Sequence, residues 1–165
     1  MSRSYRRLGT LGACVAAAVA LGFPAPASAA VADFTIYAKE VPSAGESPGN
    51  EEPEVGQNFA FADDLYREKG GSAIGRDGGS CTVVRAGSGN GPSDMQCVGT
   101  LTLNGGPGGQ LAVQALVSVN PDDEALPSFD GAITGGTGDF KDARGYIRFS
   151  DGGDGYQKME LHFFR

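Results

Sequence analysis

Apolar and polar residues alternate with a period of two along most of the chain after residue 30. The clearest case is residues 58–66 (NFAFADDLY), where one face of an extended strand would carry Phe59, Phe61, Asp63 and Leu65. No segment shows a helical period. The alternation predicts seven or eight short strands, which lie at 31–37, 58–66, 81–85, 97–103, 110–119, 128–134, 143–149 and 156–164.

Glycine-rich turns separate these strands. We predict turns at 76–79 (RDGG), 86–92, 104–109, 135–138 (GGTG) and 151–155. Residues 41–56 form an acidic loop with three Pro and three Gly. Because nearly every other connection is short, an up-and-down meander is favoured, and a meander can close and bury its edges. The prediction is an all-β fold, a single eight-stranded antiparallel β-barrel.

Composition narrows the class of protein further. A chain of 165 residues is long enough for one domain. Its 27 Gly and 9 Pro disfavour helical folds. The formal net charge of −7 excludes nucleic-acid binding through phosphate neutralisation.

The N-terminal segment has the three parts of a secretory signal. Three arginines lie within residues 1–7, an apolar stretch spans 8–23, and Ala-Ser-Ala at 27–29 is a small-x-small cleavage site. The apolar stretch is shorter than the ~20 residues that span a bilayer. We therefore predict a signal peptide at 1–29 that also removes Cys14, and a secreted, extracellular barrel domain at 30–165 without stable membrane insertion.

The two remaining cysteines flank a strong turn signal. Gly89 is the midpoint between Cys81 and Cys97, and both cysteines lie in strand-like segments. A hairpin folded about Gly89 would place them opposite each other, at a separation that suits a disulfide. We expect that disulfide; the alternative is a free reactive thiol at Cys81.

Asp63 is the candidate catalytic residue. It shares its strand face with aromatic and aliphatic residues, whereas the adjacent Asp64 points to the other face. A carboxyl group in an apolar interior has a raised pKa, which suits a general acid or base. Two alternatives stay open: the aromatic face packs outward, or Asp63 pairs with Arg85 or Arg144.

Other chemical signals are weak, and we predict no metal and no cofactor. The GGTG at 135–138 has no Lys-Ser/Thr after it and precedes a strand, so it is not expected to bind phosphate. The acidic stretches 122–124 and 151–155 lack calcium-loop spacing and fit hairpin turns. The sole histidine, His162, falls on the polar face of the last strand, which indicates a surface or rim position.

Four segments form a recognisable series of motifs, and they are 61–66 (FADDLY), 74–81 (IGRDGGSC), 132–140 (AITGGTGDF) and 143–146 (ARGY). As a set, in this order, they resemble the allene oxide cyclase barrel-like family, and the chain would be a secreted bacterial member. Plant allene oxide cyclases carry similar FTNKLY, VG-x-x-x-G-x-C and AITGG-x-G-x-F sequences, and plant dirigent proteins carry a similar GGTG-x-F-x-x-ARGY. Small bacterial spirotetronate cyclases resemble residues 55–75.

This resemblance implies a calycin-like barrel with an apolar lumen that controls how reactive hydrophobic intermediates close or couple. The family's lumen Phe and Asn match Phe61 and Asp63, and its lumen Cys matches Cys81. Phe61, Asp63 and Cys81 are therefore the expected ligand-binding lumen residues. The plant cyclases have a Glu after the first-strand Tyr; here alanine follows Tyr37, and the nearest acid is Glu40.

Three functions fit these expectations, and the sequence does not decide between enzyme and non-enzyme. The first is a cyclase, isomerase or dirigent-like protein that steers a lipid, polyketide or phenolic ligand in its lumen by confinement. The second is a lipocalin-like carrier with the same hydrophobic ligand, and the third is a structural module with a packed lumen. A cavity of about 300 Å³ or more would exclude the third. Assembly of identical chains stays open.

Overall fold

Eight antiparallel strands follow one another along the chain, and each pairs with its sequence neighbours. The last strand pairs with the first, so the sheet closes into a barrel. The computed structural model describes residues 33–41, 53–89, 91–120, 123 and 127–164. The strands are β1 (Phe34–Glu40), β2 (Asn58–Tyr66), β3 (Ala73–Arg85), β4 (Ser93–Leu103), β5 (Gly109–Val119), β6 (Phe129–Gly136), β7 (Gly145–Gly153) and β8 (Tyr156–Phe163). The predicted all-β, eight-stranded up-and-down barrel is confirmed.

The alternation of residues along each strand defines the interior. On β8, the inward positions include Met159 and Leu161, which are 1% and 0% exposed, while the residues between them face out. The other strands alternate in a similar way, with register shifts between β2 and β3, β3 and β4, β5 and β6, and β7 and β8. Their inward residues produce an apolar core. Its most completely buried members are Ile36, Leu65, Leu111, Ile147, Met159 and Leu161.

The prediction of a turn at 76–79 is wrong. Strand β3 runs without a break from Ala73 to Arg85, and its central glycines pair with β2 and β4. At the inward Gly79, a Cβ atom would collide with the Val98 carbonyl oxygen and lie 2.6 Å from the Phe61 ring. Glycine is therefore needed here because another chain segment approaches closely, not because the chain turns.

The GGTG segment closes one end of the barrel. Strand β6 continues to Gly136, and a single 3₁₀ turn follows at Gly138–Phe140. Gly138 has a φ of +61°, which favours glycine. The turn inserts the buried Phe140 ring beneath the core, where it stacks on Phe163 at 6.2 Å between ring centroids. The Gly108 amide donates to Asp139 Oδ2 at 2.9 Å and ties the neighbouring hairpin to this turn.

The predicted signal peptide at 1–29 lies outside the described residues. Within the part of the chain that the structure describes, no helix is long and apolar enough to span a membrane.

Candidate functional site

One half of the barrel interior is hollow. A cavity of about 360 Å³ occupies the end of the lumen where β1, β3, β5 and β7 finish. This volume lies within the range of small-molecule sites, so the lumen is not packed throughout. Inward side chains lining it are Ala38, Glu40, Phe59, Phe61, Asp63, Asp77, Cys81, Met95, Cys97, Leu101, Val113, Ala115, Val117, Phe129, Phe149, Gln157 and Met159.

Aromatic rings form two facing walls of this cavity. Phe59 and Phe61 project from β2. Phe129 and Phe149 project from β6 and β7 and stack at 4.7 Å between centroids, with 16° between their planes. Strands β2 and β6 are four apart in a closed barrel of eight, so the two pairs lie on opposite sides. Two such walls suit a flat apolar ligand.

Three carboxyl groups form a row across adjacent strands at the same cavity. Glu40 is the register partner of Asp63, and Asp63 is the register partner of Asp77. All three line the cavity. Their exposure decreases along the row, since Glu40 is exposed, Asp63 is half-buried and Asp77 is only 7% exposed. The row therefore leads from solvent into the lumen.

Asp63 and Asp77 face each other as register partners on β2 and β3. A hydrogen bond between their side chains contributes to the pKa of both groups. Burial, followed by the charge of Asp63, raises the pKa of Asp77 from 3.8 to about 8. Burial also raises the pKa of Asp63, with Glu40 and Asp64 contributing by repulsion, although the hydrogen bond from Asp77 opposes the shift. Two adjacent carboxyl groups in this environment retain one proton at neutral pH.

The pair is placed both to give and to take a proton. The raised pKa of Asp77 keeps a proton on that carboxyl group at neutral pH, and the adjacent Asp63 carboxyl group is an acceptor, which is the arrangement that general acid–base chemistry needs. Both carboxyl groups lie on the same wall of the cavity. This arrangement suits reactions in which a proton leaves one atom of a molecule and another proton reaches a second atom.

The predicted disulfide is present and faces the lumen. Cys81 and Cys97 are register partners on β3 and β4, with Cα atoms 4.1 Å apart and bonded Sγ atoms. Both line the cavity. In the structure Cys81 is therefore part of the apolar wall and not a free thiol.

The other predicted site residues also line this cavity. Phe61 and Asp63 both reach it. The alternative ion pairs for Asp63 are not formed, since Arg85 binds Asp94 and the Arg144 guanidinium donates to the Ala143 carbonyl. The aromatic face of β2 points inward.

Sequence reasoning missed Asp77, the most buried acid of the row. The residue was assigned to a turn, because it lies in an Arg-Asp-Gly-Gly sequence. The inward position of Cys81 could have predicted the position of Asp77. If β3 is continuous, a period of two from Cys81 places Asp77 on the inner face, opposite Asp63.

His162 lies outside the cavity on the outer face of β8, but the prediction of a surface or rim position is wrong. Its ring stacks on Tyr146 with centroids 4.4 Å apart, and this contact helps to bury the residue, which is only 9% exposed. Among the described residues, no cluster of His, Cys, Asp or Glu has the geometry of a metal site.

The fold and the cavity together define a small β-barrel whose lumen has the volume of a small-molecule site. The solved structure of a "Pyocyanin demethylase" is similar, with a TM-score of 0.62 and 27% sequence identity over 79% of this chain and 98% of that chain. It is a barrel of the same general kind. No protein-family model and no curated protein sequence matches this chain. Membership of the allene oxide cyclase barrel-like family stays a prediction.

Proposed function

We propose that this barrel binds a hydrophobic small molecule in its lumen and steers the cyclisation or stereoselective coupling of that molecule. The proposal rests on one observation above all. A cavity of about 360 Å³ with aromatic walls contains a hydrogen-bonded carboxyl pair, Asp63 and Asp77. Phe61 and Cys81 complete the expected ligand-binding surface.

Confinement is the first contribution to catalysis. A flexible ligand held between the walls of Phe59 and Phe61 on one side and Phe129 and Phe149 on the other loses most of its conformations before it reacts. Orientation of this kind is worth several kcal/mol in favourable cases, about 7–11 at most. Because the walls are chiral, they favour one direction of ring closure or coupling.

Proton transfer is the second contribution. Asp77 donates to an oxygen or carbon that becomes electron-rich as the ligand reacts, and Asp63 accepts the proton that leaves. Positioned acid–base groups contribute typically 10²- to 10⁴-fold in rate. No external cofactor is needed for this step.

The similar solved barrel supports a role for the lumen in small-molecule chemistry. The name of that protein describes an action on a small molecule, pyocyanin. Since the two chains share 27% identity and the same general barrel, a related use of the interior is the simplest expectation. The motif resemblance to cyclases and dirigent proteins supports the same use.

We also propose that the protein acts outside the cytoplasm. The disulfide between Cys81 and Cys97 fits an oxidising compartment. Residues 1–29 would then be a signal peptide, and 30–165 the mature barrel domain. The intact mass of the exported protein tests this, because loss of 1–29 and of two hydrogens gives a defined value. An unprocessed mass would contradict it.

Native mass spectrometry of the exported protein, followed by identification of the released molecule, tests the function. We expect a bound hydrophobic molecule, and catalysed conversion of its open precursor to one stereoisomer. The variants Asp63→Asn and Asp77→Asn should lower that turnover at least about 100-fold. Asp64→Asn is the matched control, because Asp64 is the exposed outward neighbour of Asp63. Turnover that is unchanged in both lumen variants, or a ligand released unaltered, would indicate a carrier.

A further inference from the structure

The ionisable residues that line the cavity are acidic. Its lining includes the carboxyl groups of Glu40, Asp63 and Asp77. Among the described residues that line it, none is Lys, Arg or His. Other acids of the barrel do have cationic partners, as with Arg85 and Asp94 at 2.6 Å. The lumen row is thus acidic without a basic counterpart.

One buried carboxyl oxygen of the row also lacks a hydrogen-bond partner within the part of the chain that the structure describes. Asp77 Oδ1 is buried and has no hydrogen-bond partner among the described residues. A buried acceptor without a donor costs about 1–3 kcal/mol. Native proteins keep few such groups, and those that they keep occur at functional sites or where a bound water, ion or ligand supplies the partner. Since Asp77 lines the cavity, a ligand in the lumen is placed to supply it.

We infer that the ligand of this lumen carries a protonated nitrogen that binds the carboxyl row of Glu40, Asp63 and Asp77. This inference rests on the proposed function and specifies its substrate class, an apolar and partly aromatic amine. An N–H⁺ group provides the positive charge that the row lacks and a hydrogen-bond donor for Asp77 Oδ1.

The gradient of burial along the row provides an entry route. Glu40 is exposed, so it attracts a cation from solvent, and Asp63 and Asp77 follow at increasing depth. The aromatic rings on both sides then cover the apolar part of the ligand and add cation–π attraction. Such a path favours the cation both in association and in the bound state.

A ligand of opposite charge would be disfavoured by the same residues. A carboxylate placed beside Asp63 would meet a second negative charge in a desolvated site. A neutral alcohol would fill the same volume and donate one hydrogen bond but would not neutralise the row. The preference should therefore follow the order amine, alcohol, acid.

Three compounds of nearly equal shape test this order: 1-naphthylmethylamine, 1-naphthylmethanol and 1-naphthoate. Binding to the processed barrel is measured at pH 7 by isothermal titration calorimetry. We expect the amine to bind at least tenfold more tightly than the alcohol, and the acid to bind most weakly. The double variant Asp63→Asn/Asp77→Asn should lower amine affinity at least tenfold and change alcohol affinity less than twofold.

The matched control is again Asp64→Asn, which removes an equal charge from the outer face and should leave amine affinity within twofold. Circular dichroism and the alcohol affinity show whether the double variant still folds. If alcohol and amine bind equally well to the wild-type barrel, the amine inference is overturned and the ligand-binding function stands. If none of the three binds, both are overturned.

Discussion

The two ends of the barrel interior are built on the same strands but differ in what the inward positions carry. At the closed end the inward residues are large and aliphatic, such as Leu65, Leu111 and Leu161, and all three are 0% exposed. At the hollow end the inward positions include the small residues Ala38 and Ala115, and the lumen keeps a cavity of about 360 Å³. Strand pairing continues through both ends. The two ends therefore differ in their inward side chains and not in their backbone pairing.

This difference separates stability from function. The closed end contains the dense apolar packing from which most folding free energy comes. The hollow end forgoes some of that packing and also keeps a buried carboxyl group, Asp77, whose charged form destabilises the fold. A fold retains such features where they serve a site. Four predictions test the contrast, from the largest effect to the smallest.

Removing a large side chain should be costly at the closed end and inexpensive at the hollow end. Leu161→Ala creates a new void among fully buried neighbours and should lower the free energy of unfolding by about 4 kcal/mol. Met95→Ala only enlarges an existing cavity and should cost about 1 kcal/mol. Urea denaturation measures both. Equal losses would show that the two ends are packed alike.

The disulfide should stabilise the hollow end, where packing is least dense. Replacing both Cys81 and Cys97 by Ala frees a loop of 16 residues and should lower the free energy of unfolding by about 3 kcal/mol. The cross-strand register does not depend on the bond, so the barrel should still fold. The check is urea denaturation of the double variant beside reduced wild-type protein. An unchanged midpoint would mean that the bond contributes little.

The carboxyl pair should make the stability of the barrel fall as pH rises. Asp77 titrates near 3.8 when unfolded and near 8 when folded, so the folded state binds more protons between these values. The charged group that faces it is Asp63 on β2, whose charge also raises the pKa of Asp77, while its partner on β4, Leu101, adds no charge. Relative to Asp77→Asn, wild-type stability should fall from pH 4 to pH 9 by at least about 2 kcal/mol, and by about 5 kcal/mol if the whole shift is expressed.

Thermal denaturation of both proteins across this pH range measures the difference, with Asp64→Asn as the exposed control. If wild type and Asp77→Asn show parallel pH profiles, the pair does not hold a proton in the folded state.

Filling the hollow end should remove binding without harming the fold. Ala115→Trp places an indole in the cavity and should weaken 1-naphthylmethanol binding at least tenfold, about 1.4 kcal/mol. Leu116→Trp, at the next position and 60% exposed, is the outward control and should bind normally. Fluorescence titration with unfolding curves checks both. Normal binding by Ala115→Trp would place the ligand elsewhere.

The sequence could predict those features that depend on residues close together in the chain. Strand β2 and the Cys81–Cys97 hairpin were predictable, because alternation and a strong turn signal are local features. Asp63 followed from the same alternation. Its partner Asp77 did not, because Arg-Asp-Gly-Gly is a turn signal in most contexts, and only the approach of Phe61 to Gly79 shows why glycine is needed in a strand.

The facing aromatic walls were also beyond local reasoning. Phe129 and Phe149 lie far from Phe61 in the chain, and only closure of the barrel places them across the lumen. The volume of the cavity likewise depends on small inward residues from several strands. The position of the aromatic walls and the volume of the cavity follow from the strand register and the closure of the barrel. The alternation of residues along a single strand specifies neither.

We propose above all that Asp63 and Asp77 at the hollow end form a carboxyl pair that is shielded from water and exchanges protons with a ligand. Carbon-13 NMR titration of the aspartate carboxyl groups tests it most directly, with Asp63→Asn and Asp77→Asn used to assign the two signals. We expect Asp77 to titrate near 8 and Asp63 above its usual range. If Asp63 and Asp77 both titrate near 4, the pair is hydrated and independent, and the account is wrong.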